Sequence, residues 1–408
     1  MPKLKSDREE TWTLDRSGLT WILPENTNIR VGMNDYGIYD ETGDNRIRVF
    51  GNMLGDDAAV GIRAGEESSV YIGANAWIAG FRTGIYGEDG DMTVINRGLI
   101  QSDYAISGQS GKVVNFGSIV SEGTSNPAPG VMFERWVDIV NEGLISARVA
   151  VMSFDGGSVF NGTDGVIMGR RSAVDLGTAD GEVNTIENHG ILRGRDHSIS
   201  SSGETRIVNR GTIFGDIELG GFADRIDTRG GAVRGVIRGG EGDDTYLISS
   251  QYIVIEDNGS STGDVVKSTS SFKLTGGLDD LFLLGATATA GYGNAGDNML
   301  HGSRAINTLY GLDGADILSG GRGRDLLVGG AGADEFRFHK GFGVDTINDF
   351  TSGEDLIVSN LVGGVRDFER LDIRQRGPDT IIDFGHGDRL ILEAFDGKNL
   401  SIGDFSTN

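Results

Sequence analysis

Residues Gly311–Phe336 read GLDGADILSGGRGRDLLVGGAGADEF, one nine-residue phrase stated almost three times. Counting outward, five phrases run in tandem: GNAGDNMLH, GSRAINTLY, GLDGADILS, GGRGRDLLV and GGAGADEFR. Their eighth positions are Leu300, Leu309, Leu318, Leu327 and Phe336; their sixth are Asn298, Asn307, Asp316, Asp325 and Asp334. A short strand with one inward side chain, followed by a Gly-rich turn, makes half a coil of a parallel β-roll. Eighteen residues then complete a coil, and alternate phrases stack about 4.8 Å apart. Asp316 falls over Asp334, and Asp325 over Asn307. A core needs the aliphatic residue but has no use for an aspartate. Two ionised carboxylates at that spacing repel by roughly 3 kcal/mol at an effective dielectric near 20. A hard divalent cation between them, calcium above all, turns repulsion into coordination, and the turns add backbone carbonyl oxygens. The expected ligand set is Asp316, Asp334, Asp325, Asn307, Asn298 and Asp313, with the turn glycines Gly311, Gly320, Gly321, Gly323, Gly329, Gly330 and Gly332. Glycine lets the backbone turn with positive φ and approach an ion.

The array resembles the repeats-in-toxin (hemolysin-type) calcium-binding nonapeptides, GGxGxDxUx, of type I secreted bacterial proteins. Gly239–Leu247, GGEGDDTYL, is a further full match and adds Asp243 and Asp244 to the candidate ligands. GGLDDLFLLGATATAGYGNAGDNMLHG is similar to the connector common in that family. The tail, DTINDFTSGEDLIV followed by DTIIDFGHGDRLILEAFDGKNLSIGDF, resembles a serralysin-type C-terminal region that carries an uncleaved export signal. The resemblance covers roughly residues 220–408. It implies calcium as cofactor, a type I exporter as partner, and folding that awaits the calcium outside the cell. Asn298 and Asn307 depart from the pattern, and GSRAIN has lost two glycines, which weakens the first two sites; Asp316 with Asp334 keeps both ligands.

A second repeat is longer. The segments VINRGLI, VVNFGSI, IVNEGLI, VFNGTDGVI, IENHGIL and IVNRGTI place Asn96, Asn115, Asn141, Asn161, Asn188 and Asn209 about 20 to 27 residues apart. That period is one coil of a solenoid. Each coil reads as a strand, an Asn-Gly turn, a second strand and a polar return, with stacked asparagines bonding the neighbouring coils' backbone. Weaker coils precede at RIRVFGNML and VYIGANAWI; EGTSNPAPG and LGTADGE read as loops. The architecture, though no one family, is similar to right-handed β-helices of bacterial surface proteins and polysaccharide-active enzymes. The expected fold is therefore all-β, a parallel β-solenoid in which a right-handed β-helix precedes a calcium-binding β-roll. Its expected segments are a cap at 1–48, β-helix at 49–218, transition coils and connector at 219–290, nonapeptide roll at 291–350, and a secretion-signal-like region at 351–408.

Composition narrows the function. The net charge is −24, with 67 glycines, 5 prolines and no cysteine among 408 residues. An acidic chain of this kind suits a cation and disfavours nucleic acid and anionic membrane surfaces. Disulfides and thiolate-bound zinc are excluded. The N-terminal MPKLKSDREETW has no apolar segment of a signal peptide, and no run is long enough to span a bilayer. Export without an N-terminal signal peptide and without membrane insertion is the expectation, to the extracellular space or cell surface.

Catalytic motifs fail in context. GYGNAG at 291–296 fits GxGxxG but leads into nonapeptides, with no strand–helix unit. GSSTG at 259–263 fits GxSxG but lies in a Ser/Thr/Gly connector. HExxH is absent, and His189, His197, His301, His339 and His386 have no ligand spacing. Alginate C5-epimerases join a β-helix to the same calcium repeats, yet the Asp-Pro of their signature occurs nowhere here. One column remains. Three residues beyond Ile100, Ile119, Ile145, Ile167, Leu192 and Ile213 stand Asp103, Glu122, Arg148, Arg170, Arg195 and Asp216. Such a ladder is either a solvated corner or, at Arg148, Arg170 and Arg195, a contact for an anionic glycan. No acid/base pair accompanies it, so no catalytic residue is named. The reading is a secreted, non-enzymatic, adhesin-like calcium-binding solenoid whose candidate partner is an acidic extracellular polysaccharide. The alternative is a polysaccharide lyase or C5-epimerase on the β-helix; a pore-forming toxin lacks an amphipathic or apolar segment.

Overall fold

The computed structural model describes residues 11–406 except 89, 125–126, 179–180, 258, 360 and 362–367. The chain divides into two compact units, residues 1–240 and 241–408. Both are parallel solenoids, and the fold is all-β.

In the first unit two strand columns alternate along the chain. One stacks Asp91–Asn96, Ser110–Asn115, Trp136–Asn141, Gly156–Asn161, Asn184–Asn188 and Thr205–Asn209 in parallel, with the six asparagines in register. These strands alternate inward aliphatics with outward residues that are polar at Thr93, Lys112, Asp138 and Ser158 but apolar and half-buried at Ile95, Val114, Val140, Phe160 and Val208. The inward Val94, Val113, Ile139, Val159, Ile186 and Ile207 are at most 1% exposed. The facing column keeps Ile100, Ile119, Ile145, Ile167, Leu192 and Ile213 in register, all fully buried. Each buried side chain contributes about 1.5–3 kcal/mol of apolar transfer, and a coil shares that core only with its neighbours.

All six asparagines are fully buried. Their contacts are more direct than the backbone bonding the spacing suggested. Nδ2 of Asn96, Asn115, Asn141 and Asn161 each donates to Oδ1 of the next asparagine at 2.8 Å, and Asn188 to Asn209 at 2.7 Å. Backbone carbonyls, such as Gly98 and Ser118 for Asn96, take up the remaining donor capacity. An amide that both donates and accepts can repeat this bond from coil to coil.

The segment expected as a cap behaves differently. Trp12–Leu14 pairs in parallel with Tyr36–Asp40, Thr20–Leu23 with Arg46–Val49, and Asn28–Val31 with Asn52–Gly55. Residues 12–48 are thus coils of the solenoid already, with Leu14, Leu23, Ile29 and Ile47 at most 1% exposed. The two loop segments contain undescribed residues at 125–126 and 179–180; beyond the first, Pro129–Phe133 is a strand inserted between Leu99–Gly108 and Leu144–Ser153.

The second unit is narrower. One column runs Met299–His301, Ile317–Ser319, Glu335–Phe338 and Leu356–Ser359; the other runs Thr289–Tyr292, Asn307–Asp313, Leu326–Ala331 and Val344–Ile347. The eighth-position residues Leu300, Leu309, Leu318, Leu327 and Phe336 are all fully buried between them. Beyond the nonapeptides, Val344–Ile347 pairs with Asp388–Leu392, from which Asp379–Gly385 and Asp372–Arg376 continue antiparallel. Among the described residues no helix is long and apolar enough to cross a membrane.

Candidate metal centre

The sixth positions form two ladders of one repeating bond. The backbone N–H of Asn298 donates to Asp316 Oδ1 at 2.8 Å, that of Asp316 to Asp334 Oδ1 at 2.9 Å, and that of Asp334 to Asp355 Oδ1 at 3.0 Å. In the second ladder Asn307 donates to Asp325 Oδ1 at 2.7 Å and Asp325 to Asp345 Oδ1 at 2.9 Å. Each aspartate therefore spends one oxygen on the coil below. For Asp316, Asp325 and Asp345 the other, Oδ2, is buried without a hydrogen-bond partner among the described residues. An orphaned buried carboxylate oxygen costs several kcal/mol unless a cation or proton meets it.

The first ladder is closed at both ends and the second at its start. Asn298 accepts from Asn294 N–H and donates to Leu278 O; Asn307 accepts from Ser303 N–H and donates to Thr289 Oγ1. An amide satisfies itself where a carboxylate could not, so these two positions leave no oxygen seeking an ion. At the far end of the first, Asp355 accepts from Asp334 and Thr351; beyond the second, Asp388 accepts from Gly341 and Gly343. Unmet acceptors thus fall on Asp316 inside the first ladder and on Asp325 and Asp345 in the second, which fits cations beside them.

Electrostatics agree. Burial pushes the Asp316 carboxyl up to about 7, helped by Asp334, Asp297 and Asp313 and opposed by the Asn298 N–H. Burial likewise raises Asp325 to about 6, Asp334 to about 6 and Asp345 to about 8, the last reinforced by Asp325 and Asp388. The turns are shaped to this arrangement. A Cβ on Gly311, Gly320 or Gly329 would collide with the carboxylate of Asp316, Asp325 or Asp334, five residues on in the same repeat. Gly314, Gly321, Gly323, Gly330 and Gly332 all have positive φ, as does Leu312 at +90°, which takes the place of the Gly321 and Gly330 of later repeats. The side chain of Leu312 is exposed and adds little packing. Leu312→Gly is expected to stabilise the calcium-loaded chain by about 1 kcal/mol, the strain of a left-handed non-glycine residue less the entropy glycine brings. A rise of a few degrees in melting temperature is the readout; a fall would show that the turn needs leucine.

The remaining candidates are placed as follows. Asp313 is exposed at the end of the strand Asn307–Asp313, and Asp243 is exposed in the loop before Thr245–Ile248. Asp244 is fully buried, and its carboxylate meets those of Asp257 and Asp264, with ligand oxygens all within 4.8 Å. Tyr246 Oη lies between them, 2.6 Å from Asp257 and 3.2 Å from Asp244; Ser261 and the Asp244 N–H serve Asp264. Burial raises Asp264 to about 6 and drives the Tyr246 phenol well above its ordinary range. Asp257 and Asp264 lie outside the tandem phrases and went unread. Asp345 stands at the sixth position of a further GxGxDxU unit, residues 341–347, displaced by two extra residues from the tandem count, and Asp355 is displaced by three.

Arg148, Arg170 and Arg195 line one pocket, together with Arg171, Asp196, Gly123 and Thr124. Asp216, expected in the same column, stands elsewhere. A register shift between Arg193 and His197 sets Asp216 opposite His197, where it pairs with Arg238 at 2.8 Å.

Residues 292–327 and, overlapping them, 310–347 match the RTX calcium-binding nonapeptide repeat (4 copies). The chain therefore carries RTX repeats, and their cofactor is calcium. Among curated proteins none matches. Among solved structures, the crystal structure of extracellular lipase LipA from Serratia marcescens is similar at 17% identity, with a TM-score of 0.19. The match covers 53% of this chain and 42% of that one, so the chain spans under half the length of that protein.

Proposed function

We propose that this is a secreted, non-enzymatic solenoid of the bacterial cell surface or matrix, exported open by a type I exporter and closed by calcium outside. The observation that carries the reading is the set of buried Oδ2 atoms without partners on Asp316, Asp325 and Asp345. Calcium is assigned to the turns around Asp316 with Asp334 and Asp325 with Asp345, where turn carbonyls complete an all-oxygen set. At cytosolic calcium the repelling carboxylates keep the array open for export; at extracellular calcium, binding energy becomes folding energy. RTX repeat proteins are typically secreted, which supports this placement.

The partner we assign is an acidic extracellular polysaccharide, supported by the gathering of four arginines on a chain of net charge −24. The test is to present the full chain, in millimolar calcium, with a panel of carboxylated, sulfated and neutral polysaccharides while assaying for unsaturated or epimerised products. Binding to acidic members without product is the expected outcome. Product formation would replace the reading by the lyase or epimerase alternative, and absence of binding to every acidic member would remove the polysaccharide from it.

A further inference from the structure

A backbone irregularity builds the arginine pocket. Between Leu144–Ser153 and Val166–Leu176 the register runs Ala147 to Gly169 and then Val149 to Ser172. The single residue Arg148 is therefore set against two, Arg170 and Arg171, which is the geometry of a β-bulge. The next coil keeps the bend: Gly169 pairs with Gly194 and Ser172 with His197, so Arg170 lies abreast of Arg195 and Arg171 abreast of Asp196. A Cβ on Gly169 or Gly194 would strike the carbonyl of Ser172 or His197, so the corner is tighter than any other residue permits. Four arginines from three successive coils line a cavity of about 350 Å³.

Their charges are poorly matched by the protein. Among the described residues none of the four joins an ion pair. Arg170 donates to the Gly123 carbonyl at 3.2 Å, and Arg148 Nε is buried with no acceptor. Among the described residues Asp196 is the one acid in the lining; Asp175, whose carboxyl burial pushes up, feels Arg171 from outside it. Stacked coils hold Arg170 and Arg195 about 4.8 Å apart, where like charges repel. Burial of a guanidinium donor without an acceptor adds to that cost. A bound oxyanion relieves both, because guanidinium forks bond a carboxylate or sulfate through paired N–H donors.

We infer that this bulge pocket is a subsite for one sugar-borne oxyanion, a carboxylate or a sulfate, of an acidic polysaccharide. The inference rests on the polysaccharide reading above and names its place, its stoichiometry and the additional residue Arg171. The pocket's size suits a single sugar unit. A long uniform polyanion such as nucleic acid requires an extended basic surface, which a chain of net charge −24 does not supply.

The test titrates calorimetrically the full chain in calcium with a galacturonate hexamer, a sulfated hexasaccharide, a neutral hexamer and single-stranded DNA. One acidic oligomer bound per chain is expected, with whichever acid binds more tightly identifying the anion. Arg170→Ala combined with Arg195→Ala should weaken it at least tenfold, and Arg171→Ala severalfold. Arg170→Lys, which keeps charge but loses the fork, should fall between wild type and alanine. Arg206→Ala, on an exposed position of the other strand column, should change nothing. The calcium-dependent melting of every variant should match wild type. Undiminished binding in the double variant would overturn the pocket while leaving the polysaccharide reading intact. Equal binding of DNA would overturn its sugar class. Binding of long acidic polysaccharide but of neither hexamer would overturn the single-unit subsite; binding of none would sink both readings.

Discussion

Chelating calcium from the full chain will expose residues 290–350 to protease and remove part of the β-sheet signal, while residues of the first unit stay protected. The carboxylates of Asp316, Asp325, Asp334 and Asp345 are stacked and buried, and three of them keep an oxygen without a hydrogen-bond partner among the described residues. Extracellular calcium modules bind at around 10⁻⁴–10⁻³ M. At a hundredfold excess over such a constant each ion stabilises the folded state by about 2.7 kcal/mol. Two ions thus contribute about 5 kcal/mol, comparable with the whole stability of a small domain. Removing them is therefore a folding event for the nonapeptide coils. The first unit rests on aliphatic stacking and the asparagine ladder, and has no reason to respond.

Acid should partly replace the ion. The folded-state pKa values, about 6 for Asp325 and Asp334, about 7 for Asp316 and about 8 for Asp345, lie above the ordinary carboxyl value of 3.8. The folded chain then binds more protons than the unfolded one between these limits, so stability falls as pH rises through the window. In chelator the second unit should become more stable from pH 8 down to pH 5, whereas calcium affinity weakens in the same direction as protons compete for the ligands. Asp316→Ala and Asp334→Ala share one site, so their combined cost should be less than the sum. Equal protease protection with and without calcium, or a chelated unit that loosens on mild acidification, would refute the assignment.

Asn141→Ala is the second change with a large expected effect. Asn141 is fully buried; it accepts from Asn115 Nδ2 at 2.8 Å, donates to Asn161 Oδ1 at 2.8 Å, and also serves Gly143 O at 3.0 Å. Alanine leaves an amide donor above and an acceptor below without their partner, each costing about 1–3 kcal/mol. A loss of about 3 kcal/mol is expected, read from urea unfolding of the first unit within the calcium-loaded chain. Asn96→Ala breaks one amide-to-amide bond, to Asn115, and should cost about half as much. Equal and small costs at both positions would mean that aliphatic stacking alone holds the coils together.

A repeat writes the same interaction many times, and this is why so much of the fold was legible. Leu309, Leu318 and Leu327 recur at nine residues and are all buried; Asn96 through Asn209 recur at coil length and stack in register. Stacking of parallel coils follows from the period because a displaced coil would lose its whole inward face. The sixth-position aspartates were readable for the same reason, since their regular recurrence had no apolar purpose. Residues 12–48 had too irregular a period to be recognised as coils, although their inward leucines and isoleucines obey the same rule.

What escaped is what does not recur. Asp345 and Asp355 stand 20 and 21 residues beyond their ladder partners, and Asp388 reaches Gly343 across 45, so the ladder ends broke the 18-residue count. Asp257 and Asp264 join Asp244 only through the curl of the connector. The arginines needed one more fact, the extra residue of a bulge, which brought in Arg171; a second register shift sent Asp216 to Arg238. A period specifies which residues stack. It says nothing of a register shift, because a bulge is decided by how the corner glycines and neighbouring coils pack in three dimensions.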